Sequence, residues 1–157
     1  MASLLIPILL LAARTAFAET HTITFVNNCG AGSIPQLIHG DSVLSTGQPY
    51  TVQGKFPNAR AYLQQGTKCL FNGENCTVVE ITLQNATPGV GDGSSVNLSL
   101  IPPLAYNVKT SFRYTKGCSS GATCGDPNCN TAFHISTDTF TQVACQEPDN
   151  SIEITFC

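Results

Sequence analysis

The sequence predicts an all-β fold, a sandwich or barrel, and three observations predict it. Short segments alternate apolar and polar residues, clusters of Gly and Pro separate them, and no long stretch repeats with the helical period. Within residues 21–27, Ile23 and Phe25 fall on one side, and within 76–85 so do Val79, Ile81 and Leu83. Segments 95–100 (Val96, Leu98, Leu100), 107–114 and 151–157 (Ile152, Ile154, Phe156) repeat the pattern, each reading as a strand with one buried face. Shorter strands are expected at 50–53, 59–65 and 139–145. Turns are expected at Gly30-Ala-Gly-Ser, Gly40-Asp-Ser, Pro88-Gly-Val-Gly-Asp-Gly and Gly125-Asp-Pro-Asn. Pro102-Pro103 ends a strand because two successive residues lack an N–H donor. No internal repeat, low-complexity tract or linker interrupts the pattern, so residues 19–157 read as one domain.

Residues 1–18 read as a secretory signal peptide. An apolar run from Leu4 to Ala13, too short to span a bilayer, leads to Ala16-Phe17-Ala18, and cleavage is expected before Glu19. Nothing downstream approaches the ~18 consecutive apolar residues of a membrane helix, so the mature chain is expected to be secreted, extracellular or wall-bound, without membrane insertion. Losing the leader removes Arg14, leaving six of the seven Lys and Arg against ten Asp and Glu. That balance argues against a nucleic-acid partner.

All eight cysteines follow the leader, and an even count in an exported chain predicts four disulfides. Sequence alone does not fix the pairing. Short separations enclosing Gly and Asn favour Cys69 with Cys76 and Cys124 with Cys129; Cys157 then reaches back to Cys29, leaving Cys118 with Cys145. Zinc is disfavoured, since no Cys-x-x-Cys occurs and His21, His39 and His134 stand singly; neither a metal nor another cofactor is expected.

Three Asn-x-Ser/Thr sequons make Asn75, Asn85 and Asn97 candidates for glycosylation, with Asn85, at a strand end beside a Gly-rich loop, the favoured one. The catalytic search finds no Gly-x-Ser-x-Gly elbow, and fully paired cysteines supply no nucleophile. Glycoside hydrolysis would need two carboxylates across a cleft, and Glu80, Asp126, Asp138 and Glu153 lie in or beside structured segments. Each also reads as an ordinary solvated carboxylate, and His134 as a strand residue.

The opening His21-Thr-Ile-Thr-Phe-Val-Asn-Asn-Cys29 and the ending Ser151-Ile-Glu-Ile-Thr-Phe-Cys157 resemble the first and last strands of thaumatin-like proteins. Arg60-Ala-Tyr-Leu before a cysteine pair, Glu80 in an apolar strand, Ser95-Val-Asn-Leu-Ser-Leu, and Lys116-Gly-Cys118 followed by Cys124 keep that family's order. The whole is similar to the small fungal form of mushrooms, which lacks the cysteine-rich second domain. The resemblance implies a β-sandwich whose acidic cleft is linked to β-glucan binding, weak glucanase activity, antifungal defence and enzyme inhibition. It assigns Glu80, Asp126 and Arg60 to that cleft, and it places Asn97 where an Asp is usual, which argues against hydrolysis.

The expected function is therefore that of a non-catalytic secreted glycoprotein of a fungal cell surface or fruiting body, binding wall polysaccharide or a foreign protein or receptor in defence. Tyr62, Tyr106 and Tyr114 would supply stacking faces for a sugar. Two alternatives are a protein-binding immunomodulator, inhibitor or effector, with loops 30–50 and 87–95 as its contact surface, and a weak endo-β-1,3-glucanase using Glu80 and Asp126.

Overall fold

A computed structural model of the chain describes residues 18–157, and among these every regular element is a strand. The expected leader, Ala18 apart, lies outside the described residues. In chain order the strands are β1 (Thr20–Asn27), β2 (Ser33–His39), β3 (Ser42–Ser45), β4 (Tyr50–Gln53), β5 (Phe56–Gln65) and β6 (Val78–Leu83). There follow β7 (Ser94–Ser99), β8 (Thr110–Lys116), β9 (Gly121–Cys124), β10 (Ala132–Phe133), β11 (Val143–Cys145) and β12 (Ser151–Phe156). One five-stranded sheet runs β4-β1-β12-β8-β9; a seven-stranded sheet runs β10-β7-β6-β5-β2-β3, with β11 also paired to β7.

Alternation decides what each sheet buries. Ile23, Phe112, Tyr114, Ile152, Ile154 and Phe156 face inward from the five-stranded sheet, and Leu37, Leu63, Val79, Ile81, Leu83, Val96 and Leu98 meet them from the other. Each such side chain contributes about 1.5 to 3 kcal/mol by leaving water. Tyr114 sits deep enough that desolvation raises the pKa of its hydroxyl, which donates to the Val143 carbonyl at 3.0 Å.

The first and last strands are neighbours: β1 and β12 pair in parallel, Ile23 opposite Ile152 and Asn27 opposite Phe156. Beyond that pair Cys29 bonds to Cys157, while Cys69–Cys76, Cys118–Cys145 and Cys124–Cys129 complete four disulfides.

Two expectations need correction. Residues 139–145 form a strand only at Val143–Cys145, and the region 30–50, expected as a contact loop, is largely the hairpin of β2 and β3. Pro35 hid β2, because proline is excluded from strands hydrogen-bonded on both flanks. Here β3 pairs only from Leu37 onward, so at Pro35 the strand has β5 alone as a neighbour.

One end of the sandwich is closed by a polar corner. The Asp149 carboxylate accepts the Thr20 N–H at 3.1 Å and the Asn85 amide at 3.4 Å, and its pKa is held below the ordinary Asp value, chiefly by the Thr20 N–H. A carboxyl whose folded pKa lies below its unfolded one adds stability that is present at neutral pH and lost as pH falls through the folded pKa. Asp149→Asn is therefore expected to lower the melting temperature at neutral and alkaline pH and to flatten the acid side of the profile, where the wild type loses the same contribution.

Candidate functional site: a polar cleft on the outer face of the larger sheet

The outward positions of β5, β6 and β7 line up across the sheet. The register sets Ile38 opposite Arg60, Arg60 opposite Glu80, and Glu80 opposite Asn97, a continuous cross-strand row. The next row pairs Thr82 with Ser95. Half of this outer face is covered, since the disulfide-closed loop Cys69–Cys76 folds back over Ile38, Tyr62 and Val78. The uncovered half is a cleft of about 390 Å³ floored by Arg60, Glu80, Asn97, Thr82 and Ser95, with Gln142 and Asn58 on its walls. A second hollow of about 300 Å³ adjoins it, sharing Asn58 and Arg60 and ending at Asp41 and Asn72.

Within the cleft, Asn97 Nδ2 donates to Glu80 Oε2 at 2.8 Å and fixes that carboxylate on the floor. Arg60 has no carboxylate within salt-bridge distance among the described residues, so its donors are free to meet a ligand. Its charge also reaches the covering loop, where it helps to lower the pKa of Glu74 after the larger effect of backbone and Asn72 hydrogen bonds. Among the described residues Ser95 Oγ has no hydrogen-bond partner. The cleft thus offers one cation, one anion and several amides and hydroxyls, a surface suited to neutral polyhydroxylated ligands more than to charged ones.

Asn97→Asp is expected to cost about 1 to 2 kcal/mol at neutral pH, because it exchanges a donor for a second negative charge beside Glu80. The loss should shrink on acidification to about pH 4, where the pair can share a proton. Melting temperature against pH checks both parts.

The structure brings Glu80 and Arg60 together but does not bring Asp126 to them. Asp126 is exposed on the Cys124–Cys129 loop beyond β9 of the other sheet, its carboxylate accepting the Asn128 N–H at 2.8 Å, and it lines neither hollow. The placement of Asp126 in the cleft is corrected accordingly: chain order matched, but the strand before it belongs to the opposite layer. Glu153 pairs with Arg113 at 2.9 Å on the outer face of the five-stranded sheet, and Asp138 accepts the His134 N–H at 2.7 Å. His134 Nε2 lies 2.8 Å from the Cys129 carbonyl.

The three tyrosines are not stacking platforms. Tyr62 and Tyr114 are buried, and Tyr106 is half-buried with its hydroxyl on the Gly125 carbonyl at 2.7 Å. Phe140, 78% exposed, stands two residues before Gln142 in the sequence. Neither was singled out from the sequence. Thr82 and Ser95 were findable, since they alternate in phase with Glu80 and Asn97, whereas Phe140 and Gln142 fall in the segment 139–145, read as a strand, of which only Val143–Cys145 is one.

Fold and cleft together define a small four-disulfide β-sandwich carrying a polar groove on one outer face. No family model matches the chain, and no curated protein matches it in sequence. Among solved structures the fold is shared with one described as the protein elicitor MoHrip2 from Magnaporthe oryzae. The match has a TM-score of 0.51 and 15% identity, and it covers 89% of this chain and 99% of that one. At that identity the likeness speaks for the fold alone.

Proposed function

We propose that this is a secreted, non-catalytic binding protein of a fungal surface, a small thaumatin-like form whose cleft takes a strand of neutral wall polysaccharide, β-1,3-glucan in the first instance. The observation carrying it is the Arg60–Glu80–Asn97 row opening into one groove that continues past Arg60. A polysaccharide presents hydroxyls along a ribbon, and a row of fixed donors and acceptors matches that chemistry. Hydrolysis would ask for a second carboxyl flanking the same bond, and Asn97 occupies the position beside Glu80. Four disulfides favour an oxidising compartment.

The test is co-sedimentation of the oxidised protein with insoluble β-1,3-glucan and chitin, scoring bound protein and released reducing sugar together. Binding without release is expected, and Arg60→Ala should weaken it about tenfold, the worth of one charged hydrogen bond. Sugar release abolished by Glu80→Gln would overturn the non-catalytic reading, and absence of binding to either polymer would overturn the polysaccharide.

A second reading, a protein-directed effector, is favoured by the exposed side chains of Val90, Ile135 and Phe140 and by the fold shared with a protein elicitor. Under it, Phe140→Ser abolishes the response of challenged plant or immune cells while glucan binding is absent throughout.

A further inference from the structure

Of the three sequons the fold leaves one asparagine side chain uncommitted, and we propose that Asn75 carries the chain's N-linked glycan, which shields an apolar loop tip beside it. The inference rests on the reading of an exported chain. Asn97 is buried with Nδ2 given to Glu80, so a sugar there would break that bond and fill the cleft. Asn85 is engaged at both ends of its amide, Oδ1 accepting the Asp149 N–H at 2.6 Å and Nδ2 facing Asp149 Oδ1 at 3.4 Å. Its own N–H is bound to Glu19 Oε1 at 2.5 Å, which makes Asn85 part of the corner that closes the sandwich.

Asn75 differs in each respect. It is exposed, its side chain makes no hydrogen bond among the described residues, and its backbone N–H goes to the Pro103 carbonyl at 2.9 Å. Its φ of 67° is a left-handed conformation that Asn and Asp adopt more readily than other residues with a Cβ.

The loop that ends at Asn75 holds Leu70 and Phe71 at the surface, 57% and 43% exposed. They cannot sink inward. Tyr62 donates its hydroxyl to the Phe71 carbonyl at 3.0 Å, and Gly73 N–H binds the Leu70 carbonyl at 3.0 Å. Gly73 itself packs so closely that a Cβ would lie 2.5 Å from Val78 Cγ2. A bulky hydrophilic glycan on the same closed loop covers a tip that packing leaves wet.

In the transfer, Asn75 Nδ2 attacks the anomeric carbon of a lipid-pyrophosphate-linked oligosaccharide. The N–C bond forms, the bond from that carbon to the phosphate oxygen breaks, the lipid pyrophosphate leaves, and Nδ2 gives up one proton. Thr77, the hydroxyl residue of the sequon, is fully buried, with Oγ1 accepting the Asn107 N–H at 3.3 Å, so transfer precedes folding of this segment and closure of the Cys69–Cys76 bond.

The full chain with its own leader, expressed in a eukaryotic secretory host, is examined by N-terminal sequencing and by intact mass before and after an amidase that removes N-glycans. One glycan is expected on the wild type and on Asn97→Gln, and none on Asn75→Asp, a substitution that keeps the left-handed preference. Asn75→Asp should keep its melting temperature but bind several-fold more apolar dye, an excess removed by adding Leu70→Ser and Phe71→Ser. A glycan persisting on Asn75→Asp, or an exported wild type starting at Glu19 with no glycan, overturns the site and leaves export standing. Unchanged dye binding overturns the shielding, and a retained chain with an unprocessed leader overturns the export reading and this one with it.

Discussion

Replacing Cys29 and Cys157 together by alanine is expected to lower the melting temperature by about 10 to 20 °C, the largest effect among the four disulfides. The bond joins residues 128 apart in sequence, against 27 for Cys118–Cys145, 7 for Cys69–Cys76 and 5 for Cys124–Cys129. In the chain-entropy account the restraint on the unfolded chain grows with the logarithm of loop length, giving about 5 kcal/mol for the longest bridge and about 2 kcal/mol for the shortest. The folded geometry separates cross-link from packing, because Cys124 and Cys129 are buried in the core and their alanine pair loses packing as well. Cys29 and Cys157 contribute little buried surface of their own, so the alanine pair leaves the core intact and reports the cross-link. Differential scanning calorimetry of the double variant beside Cys124→Ala with Cys129→Ala measures the order. A shift below about 3 °C for the Cys29 and Cys157 pair would mean that the parallel β1–β12 ladder holds the termini without the covalent bond.

His21→Phe is expected to destabilise the fold by about 2 to 4 kcal/mol although it keeps a ring of similar size. His21 is fully buried, with Nδ1 at 2.7 Å from the Asn150 carbonyl and Nε2 at 3.0 Å from Glu19 Oε1. Phenylalanine has no ring nitrogen, so it leaves the Asn150 carbonyl without its partner and breaks the contact with the partly buried Glu19 carboxylate. The damage is not confined to β1. Asn150 Oδ1 accepts the Ser94 hydroxyl at 2.7 Å and Glu19 Oε1 accepts the Asn85 N–H, so one ring joins β1 to the segment before β12 and, through Ser94, to the opposite sheet. Urea denaturation with an unchanged m-value would show the loss as stability alone; a shift under about 0.5 kcal/mol, the usual size for surface substitutions, would remove the clamp from the account.

The buried position of His21 was legible, because it alternates in phase with Ile23 and Phe25 on a strand read from the sequence. Its partners were not, since Asn150 lies 129 residues away and nothing local selects it. The cleft divides in the same way. That Arg60, Glu80 and Asn97 leave the core follows from their alternation with Ala61, Ile81 and Leu98, but their being side by side follows from strand register, which pairs residues about 20 apart. Asp126 shows the converse: chain order suggested the cleft, and its loop belongs to the other sheet.

Local pattern determined what repeats every two residues: an all-β chain, the buried side of its long strands, and an outward-facing polar series on β5 to β7. These are short-range consequences of pleating and turn chemistry, and they need no knowledge of neighbours. Tertiary structure decided the rest. It accommodated Pro35 in a strand by leaving one flank open, buried Tyr62 and Tyr114, committed two sequon asparagines and freed a third, and separated Asp126 from Glu80. Each of those outcomes depends on which distant backbone lies alongside, a choice made by packing two sheets around one core and not by any residue's own propensity.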